Sequence, residues 1–171
     1  MSSDGRGRRW LRILIGVPLV TLGAFSAFIA WRGIDNGMPS RCVGGVAGGH
    51  LENGRGLAYW GDNFRAYSLL GWLIGRTFEH GTVRDAIAAA YADLARQHPD
   101  LRFVYAESAW PWGGRFAPHK THQNGTAVDF LVPVRNDTNE VTTPLTWIGN
   151  LWGYGIDYDR NGQSGSRKID F

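Results

Sequence analysis

The chain has 171 residues, 43% of them hydrophobic, with 18 Lys and Arg against 15 Asp and Glu. That length and composition suit one folded domain with a real core and exclude a disordered chain. Residues 1–31 take four of the cations and one of the anions, so the remainder holds 14 of each. With no basic stripe and no net charge, the remainder offers nothing for a nucleic-acid partner to bind.

Residues 13–30, ILIGVPLVTLGAFSAFIA, carry no charge and are flanked by Trp10 and Trp31. Eighteen apolar residues are enough to span a bilayer. Arg6, Arg8, Arg9 and Arg12 precede the run and only Arg32 follows closely, so the positive-inside bias puts the N-terminus in the cytoplasm and exports the rest. The run reads either as a retained anchor, favoured by its length and aromatic flanks, or as a signal cut near Ala24-Phe25-Ser26. Arg8-Arg9 is a weak twin-arginine signal. The one cysteine, Cys42, has no partner in this chain, and MPSRC lacks the small residues that precede a lipid-modified cysteine.

The expected organisation is a basic end and anchor or signal over 1–31, a glycine-rich linker over 32–55, and one domain over 56–171. The glycine-rich composition extends to about residue 62 and predicts little regular structure. Residues 63–78, NFRAYSLLGWLIGRTF, are apolar on nearly every face and read as a buried helix. Residues 82–97 place Val83, Ile87, Ala90, Tyr91 and Leu94 at helical intervals, with Thr82 as N-cap, His98 at the C-terminal end and Pro99 just beyond. Residues 102–108 and 126–134 read as strands, and residues 145–152 as a short helix. Asn161-Gly162 suggests a hairpin turn. Asp157, Asp159, Asn161 and Gly162 have calcium-loop spacing, but Lys168 stands where the bidentate Glu is required, which argues against calcium.

The chemistry concentrates in residues 118–130, PHKTHQNGTAVDF. His119, His122 and Asp129 offer three metal-ligand side chains within eleven residues. A loop histidine and a strand aspartate can converge on one ion, and Asp129 lies in an apolar run where an unpaired carboxylate is costly to bury. On spacing alone the alternative stays open: Asp129 faces solvent on an edge strand and both histidines are surface residues.

The longer segment GGRFAPHKTHQNGTAVDFLVPV resembles the signature of penicillin-insensitive murein endopeptidases. That family is grouped with lysostaphin-type and D-Ala-D-Ala peptidases in a zinc superfamily with an H-x(6)-D motif. His122 and Asp129 fill the two motif positions, and Gly113, Gly114, Pro118-His119, Gln123 and Gly125 also match. The resemblance implies an α+β fold, with a central antiparallel sheet, flanking helices and, here, a preceding transmembrane helix. It implies one Zn2+ held by His122 and Asp129, with His119 as a ligand or as a catalytic residue beside them. It further implies hydrolysis of peptide cross-links in peptidoglycan and a periplasmic location, anchored to the inner membrane or secreted. Arg115 is suited to pairing with a substrate carboxylate, and Gln123 is assigned with it to substrate binding.

The family completes its site with a later H-x-H motif. None occurs in this chain, whose remaining histidines, His50, His80 and His98, precede the segment. The sequence is therefore expected to be the N-terminal part of a longer enzyme. The competing expectation is a non-catalytic cell-wall-binding domain, with Trp110 and Trp112 as a sugar platform.

Overall fold

The computed structural model describes residues 4–33, 37–142 and 151–169. The apolar run lies in one helix, α1 (Asp4–Gly33). Its window Leu14–Trp31 has a mean hydropathy of 1.9 and is almost wholly exposed, so by length and composition alone it could cross a membrane. Ile29 departs from this pattern. It is 4% exposed because it packs with Leu51 and Phe78, which ties the C-terminal end of α1 to the domain.

The glycine-rich stretch holds more regular structure than its composition predicts. β1 (Arg41–Val43) and β2 (His50–Glu52) form an antiparallel hairpin, and β3 (Arg55–Gly56) pairs antiparallel with β5 (Phe78–Glu79). Strand alternation turns the one apolar side chain of β2, Leu51, inward.

The buried helix expected over 63–78 is replaced by β4 (Phe64–Ala66), a five-residue helix α2 (Leu69–Leu73) and β5. An apolar run with no clear period does not distinguish helix from strand. Long-range pairing decides here, with β4 parallel to β6 (Phe103–Tyr105) and β6 antiparallel to β7 (Phe130–Leu131). Ser68 then starts α2 by accepting a hydrogen bond from the Gly71 N–H at 3.1 Å.

Helix α3 (Gly81–Gln97) forms as its periodicity requires, with Ile87 and Tyr91 buried. Its cap is His80 rather than Thr82: Nδ1 accepts from the Thr82 N–H at 3.2 Å while Nε2 lies 2.9 Å from the Ser40 carbonyl. An imidazole whose Nε2–H is taken by a carbonyl presents Nδ1 as an acceptor, and so replaces the usual capping hydroxyl. His98 ends the helix, its N–H bonded to the Leu94 carbonyl at 2.8 Å.

The inner face of α3 meets Leu57, Ala66 and Tyr105 in the main core cluster, and Phe64 stacks on Tyr91 with ring centroids 4.6 Å apart. Burying each such side chain contributes about 1.5–3 kcal/mol. This packing fixes the sheet β4-β6-β7, whose ends lead into the candidate site.

β8 (Val134–Arg135), β9 (Val141–Thr142), β10 (Gln163–Ser164) and β11 (Arg167–Ile169) form an antiparallel sheet in the order β10-β11-β8-β9. Ser164 pairs with Arg167, so the hairpin turns at Gly165-Ser166. Asn161-Gly162 instead wraps onto Asp159, whose carboxylate accepts from the N–H groups of Asn161 and Gln163 at 2.8 and 2.9 Å. The helix expected at 145–152 falls on residues outside those described, apart from Leu151 and Trp152, which are in a turn. The fold is thus mixed α+β as expected. Its described strands fall into four small sheets rather than one, with β4–β6 parallel and the other pairings antiparallel.

Candidate metal centre

Beyond β6 and before β7 the backbones stay paired: the Ala106 N–H bonds the Asp129 carbonyl at 2.7 Å, and the Asp129 N–H bonds the Glu107 carbonyl at 2.9 Å. The two carboxylates are therefore carried by neighbouring extended segments. The Asp129 side chain is 47% exposed, whereas that of Glu107 is 2% exposed.

Both histidines sit on the loop between these segments, over the fully buried ring of Phe116. Its centroid lies 5.8 Å from His119 and 5.5 Å from His122, and the imidazoles meet edge-on at 4.6 Å. His122 is buried and has φ +66°, a conformation that disfavours a side chain by about 1–2 kcal/mol. Such a residue persists only where its surroundings hold it.

The glycine-rich hairpin supplies part of that hold. The Gln123 N–H bonds the Val46 carbonyl at 3.0 Å, the Asn124 amide bonds the Gly44 carbonyl at 3.2 Å, and the Leu51 N–H bonds the Trp112 carbonyl at 3.0 Å. At Gly113, with φ +67°, a Cβ would run into the Gln123 carbonyl oxygen and come within 2.5 Å of the Leu51 nitrogen. Only glycine permits this approach.

Hydrogen bonding sets which imidazole nitrogens are free. His119 Nε2 lies 2.8 Å from Glu107 Oε2, and a carboxylate only accepts, so Nε2 carries the hydrogen and Nδ1 keeps its lone pair. His122 Nδ1 lies 3.1 Å from the Ala127 carbonyl, which leaves Nε2 bare by the same argument. The two bare nitrogens face Asp129: Nε2 of His122 is 3.4 Å from Oδ1, and Nδ1 of His119 is 4.0 Å from Oδ2. The three ligand atoms lie within 4.8 Å of one another.

Three acceptors that converge need a cation between them, either a proton or a metal ion. A separation of 3.4 Å exceeds a good N–H···O hydrogen bond. It matches the spacing of roughly 3.4 Å between two ligand atoms each about 2.1 Å from a tetrahedral ion. The His122–Asp129 pair is thus spaced like two ligands of one ion, and with His119 close by the three form a cluster that could hold a metal ion. Burial lowers the His122 pKa, but the Asp129 carboxylate beside it outweighs burial and raises it, so a proton is the cation that competes with a metal ion at Nε2.

Glu107 is not evident from the sequence, although, like Asp129, it is a lone carboxylate next to an apolar strand. Its Oε1 accepts from Tyr67 Oη at 2.7 Å and Arg76 Nε at 2.5 Å, and Oε2 accepts from Tyr154 Oη at 2.9 Å. Burial pushes its pKa up, but the Arg76 and Tyr67 hydrogen bonds more than offset this and hold it below the usual carboxylate range. The guanidinium of Arg76 is itself enclosed, 4.1 Å from the Phe116 ring centre, 5.2 Å from that of Trp110 and 5.3 Å from that of Trp152.

The structure therefore brings His119, His122 and Asp129 together. Arg115 is exposed, and its carbonyl accepts from the Trp110 indole at 3.3 Å. The Gln123 side-chain amide donates to the Lys120 carbonyl at 3.2 Å, within its own loop. Fold and site together define a mixed α+β chain with a histidine–aspartate cluster that could hold a metal ion. No protein-family model matches the chain, and none of the curated proteins is significantly similar to it.

Proposed function

We propose that this chain belongs to a zinc-dependent peptidase of the murein endopeptidase type, acting on peptide cross-links of peptidoglycan on the outer side of the membrane that α1 would cross. The observation that supports the reading most is the convergence of two imidazole nitrogens and one carboxylate, their ligand atoms within 4.8 Å of one another, inside the segment that resembles that family. His119, His122 and Asp129 would hold the ion. Zinc supplies Lewis acidity, polarising a scissile carbonyl and activating water near neutral pH. The chain's own groups present the ligand atoms: Phe116 supports both rings from beneath, the Ala127 carbonyl orients His122, and Glu107 orients His119. Exposed Arg115 is available to pair with a substrate carboxylate. On this reading β6–β7 and the β8–β11 sheet are the candidates for the family's central antiparallel sheet.

The deciding experiment is zinc content by mass spectrometry on the full chain in detergent, with muropeptide cleavage followed by chromatography, beside His122→Ala. About one equivalent of zinc and cleavage in the parent, both lost in the variant, is the expected result. A folded parent with no zinc and no cleavage overturns it.

A second reading has its own observation. Trp110 and Trp112 lie near-parallel, 11° apart with centroids at 6.4 Å, and Trp112 is 44% exposed. Exposed indoles that stack on sugar rings would make this a cell-wall-binding domain without catalysis. Peptidoglycan binding that survives chelation and His122→Ala but fails in Trp112→Ala would favour it.

A further inference from the structure

Glu107 is the most enclosed charged group near the cluster, and its two oxygens have separate partners. Oε1 takes both the Arg76 and the Tyr67 hydrogen bonds, at 2.5 and 2.7 Å. That leaves Oε2 for His119 Nε2 at 2.8 Å and Tyr154 Oη at 2.9 Å, and Tyr154 Oη also touches His119 Nε2. The sources are far apart in the chain: Tyr67 follows β4, Arg76 precedes β5, Glu107 follows β6, and Tyr154 comes after β9.

We propose that Glu107 is a positioning residue for the metal centre. Anchored by Arg76 and Tyr67 through one oxygen, it uses the other to fix His119 as the Nε2–H tautomer, with Nδ1 turned toward His122 and Asp129. The inference rests on the metal-binding reading above and adds a cause for it. Without Glu107 the contact left to His119 Nε2 among the described residues is the Tyr154 hydroxyl, which can donate or accept and so selects neither tautomer. A carboxylate that accepts the far N–H of a ligating imidazole also makes the imidazole a stronger donor to the metal. Arg76 acts to the same end, because its charge keeps Glu107 ionised in a nearly dry position, so the carboxylate accepts and does not donate.

Glu107→Gln is the informative change because an amide has one acceptor oxygen and the site demands two. If the amide oxygen serves Arg76 and Tyr67, its NH2 faces His119 Nε2 and selects the opposite tautomer. If it serves His119, Arg76 loses its partner.

The full chain labelled with 15N-histidine is prepared metal-free in detergent at about pH 8, and the tautomer of each histidine is read from long-range 15N–1H NMR correlations. The expected result in the parent is His119 with hydrogen on Nε2 and a bare Nδ1. In Glu107→Gln, His119 shifts toward the Nδ1–H form while His122 is unchanged, and zinc affinity measured by competition with a chelating dye falls by about 10- to 100-fold. Tyr154→Phe, which leaves the Arg76–Glu107 pair in place, keeps the parent tautomer with a smaller loss of affinity. That variant and the parent spectrum decide the matter should Glu107→Gln not fold. A parent spectrum with hydrogen on His119 Nδ1, or a folded Glu107→Gln with parental tautomer and affinity, overturns the proposal. A parent that holds His119 as Nε2–H but binds no zinc supports the tautomer assignment and defeats the metal reading alone.

Discussion

Glu79 gives the sharpest test of the energetics. Its side chain on β5 is wholly buried: Oε1 accepts from Ser108 Oγ at 2.7 Å, and Oε2 has no hydrogen-bond partner among the described residues. Burial pushes its pKa from 4.5 up to about 8, against the opposing pull of the Ser108 hydrogen bond and the Arg84 charge. The folded protein thus keeps Glu79 protonated through neutral pH, while the unfolded chain releases that proton above about pH 4.5. Between those values the unfolded state binds fewer protons, so the contribution of Glu79 to stability is greatest in acid and is lost as pH rises through the folded value. The slope reaches at most about 1.4 kcal/mol per pH unit. From pH 5 to pH 8 the loss is on the order of 4 kcal/mol, a large share of a typical 5–15 kcal/mol. Glu79→Gln keeps the shape and removes the titration. Urea unfolding of both proteins, followed by tryptophan fluorescence from pH 5 to 8.5, is expected to show the parent losing stability relative to the variant as pH rises. Parallel curves, or a parent that gains on the variant with pH, refute the reasoning.

Zinc at about 100 times its Kd is expected to stabilise the folded chain by about 2.7 kcal/mol, seen as a higher melting temperature that a chelator reverses and that His122→Ala and Asp129→Asn lack. Gly113→Ala is expected to cost well over 2 kcal/mol and to abolish zinc binding, because the new Cβ meets the Gln123 carbonyl and the Leu51 nitrogen. Gly114→Ala is the control: a Cβ there meets nothing within 4 Å, so only its φ of +79° matters, at about 1–2 kcal/mol. Melts and zinc titrations on both variants check the contrast. Phe116→Ala empties a fully buried site beneath both imidazoles. The expected cost is about 3–5 kcal/mol in denaturant unfolding, with weaker zinc binding in whatever remains folded.

The sequence made some of this legible, and local physics explains which parts. Helix α3 shows because its stripe repeats over seventeen residues, and the His119, His122 and Asp129 cluster shows because its members are near neighbours in the chain. The run 63–78 misleads because apolar residues on every face suit a central strand as well as a buried helix, and only pairing with residues 103–105 separates the two. His80 escapes notice as a cap because its capping ability depends on the Ser40 carbonyl, 40 positions away. Gly165-Ser166 displaces Asn161-Gly162 as the hairpin turn because the latter wraps onto the Asp159 carboxylate. Glu107 has no local signal for its role. Its partners Tyr67, Arg76 and His119 lie 40, 31 and 12 positions away, and only the folded chain gathers them.

That gathering bears on when the cluster becomes competent. A peptide covering residues 116–131 would carry all three ligand side chains, yet it would lack the hairpin under Gln123 and Asn124, and it would lack the carboxylate that orients His119. Its histidines would sample both tautomers and many loop shapes. If the cluster holds a metal ion, tight capture would therefore belong to the finished tertiary structure and not to the nascent chain. If α1 delivers the domain across a membrane before it folds, such an ion would be taken from the compartment in which folding ends.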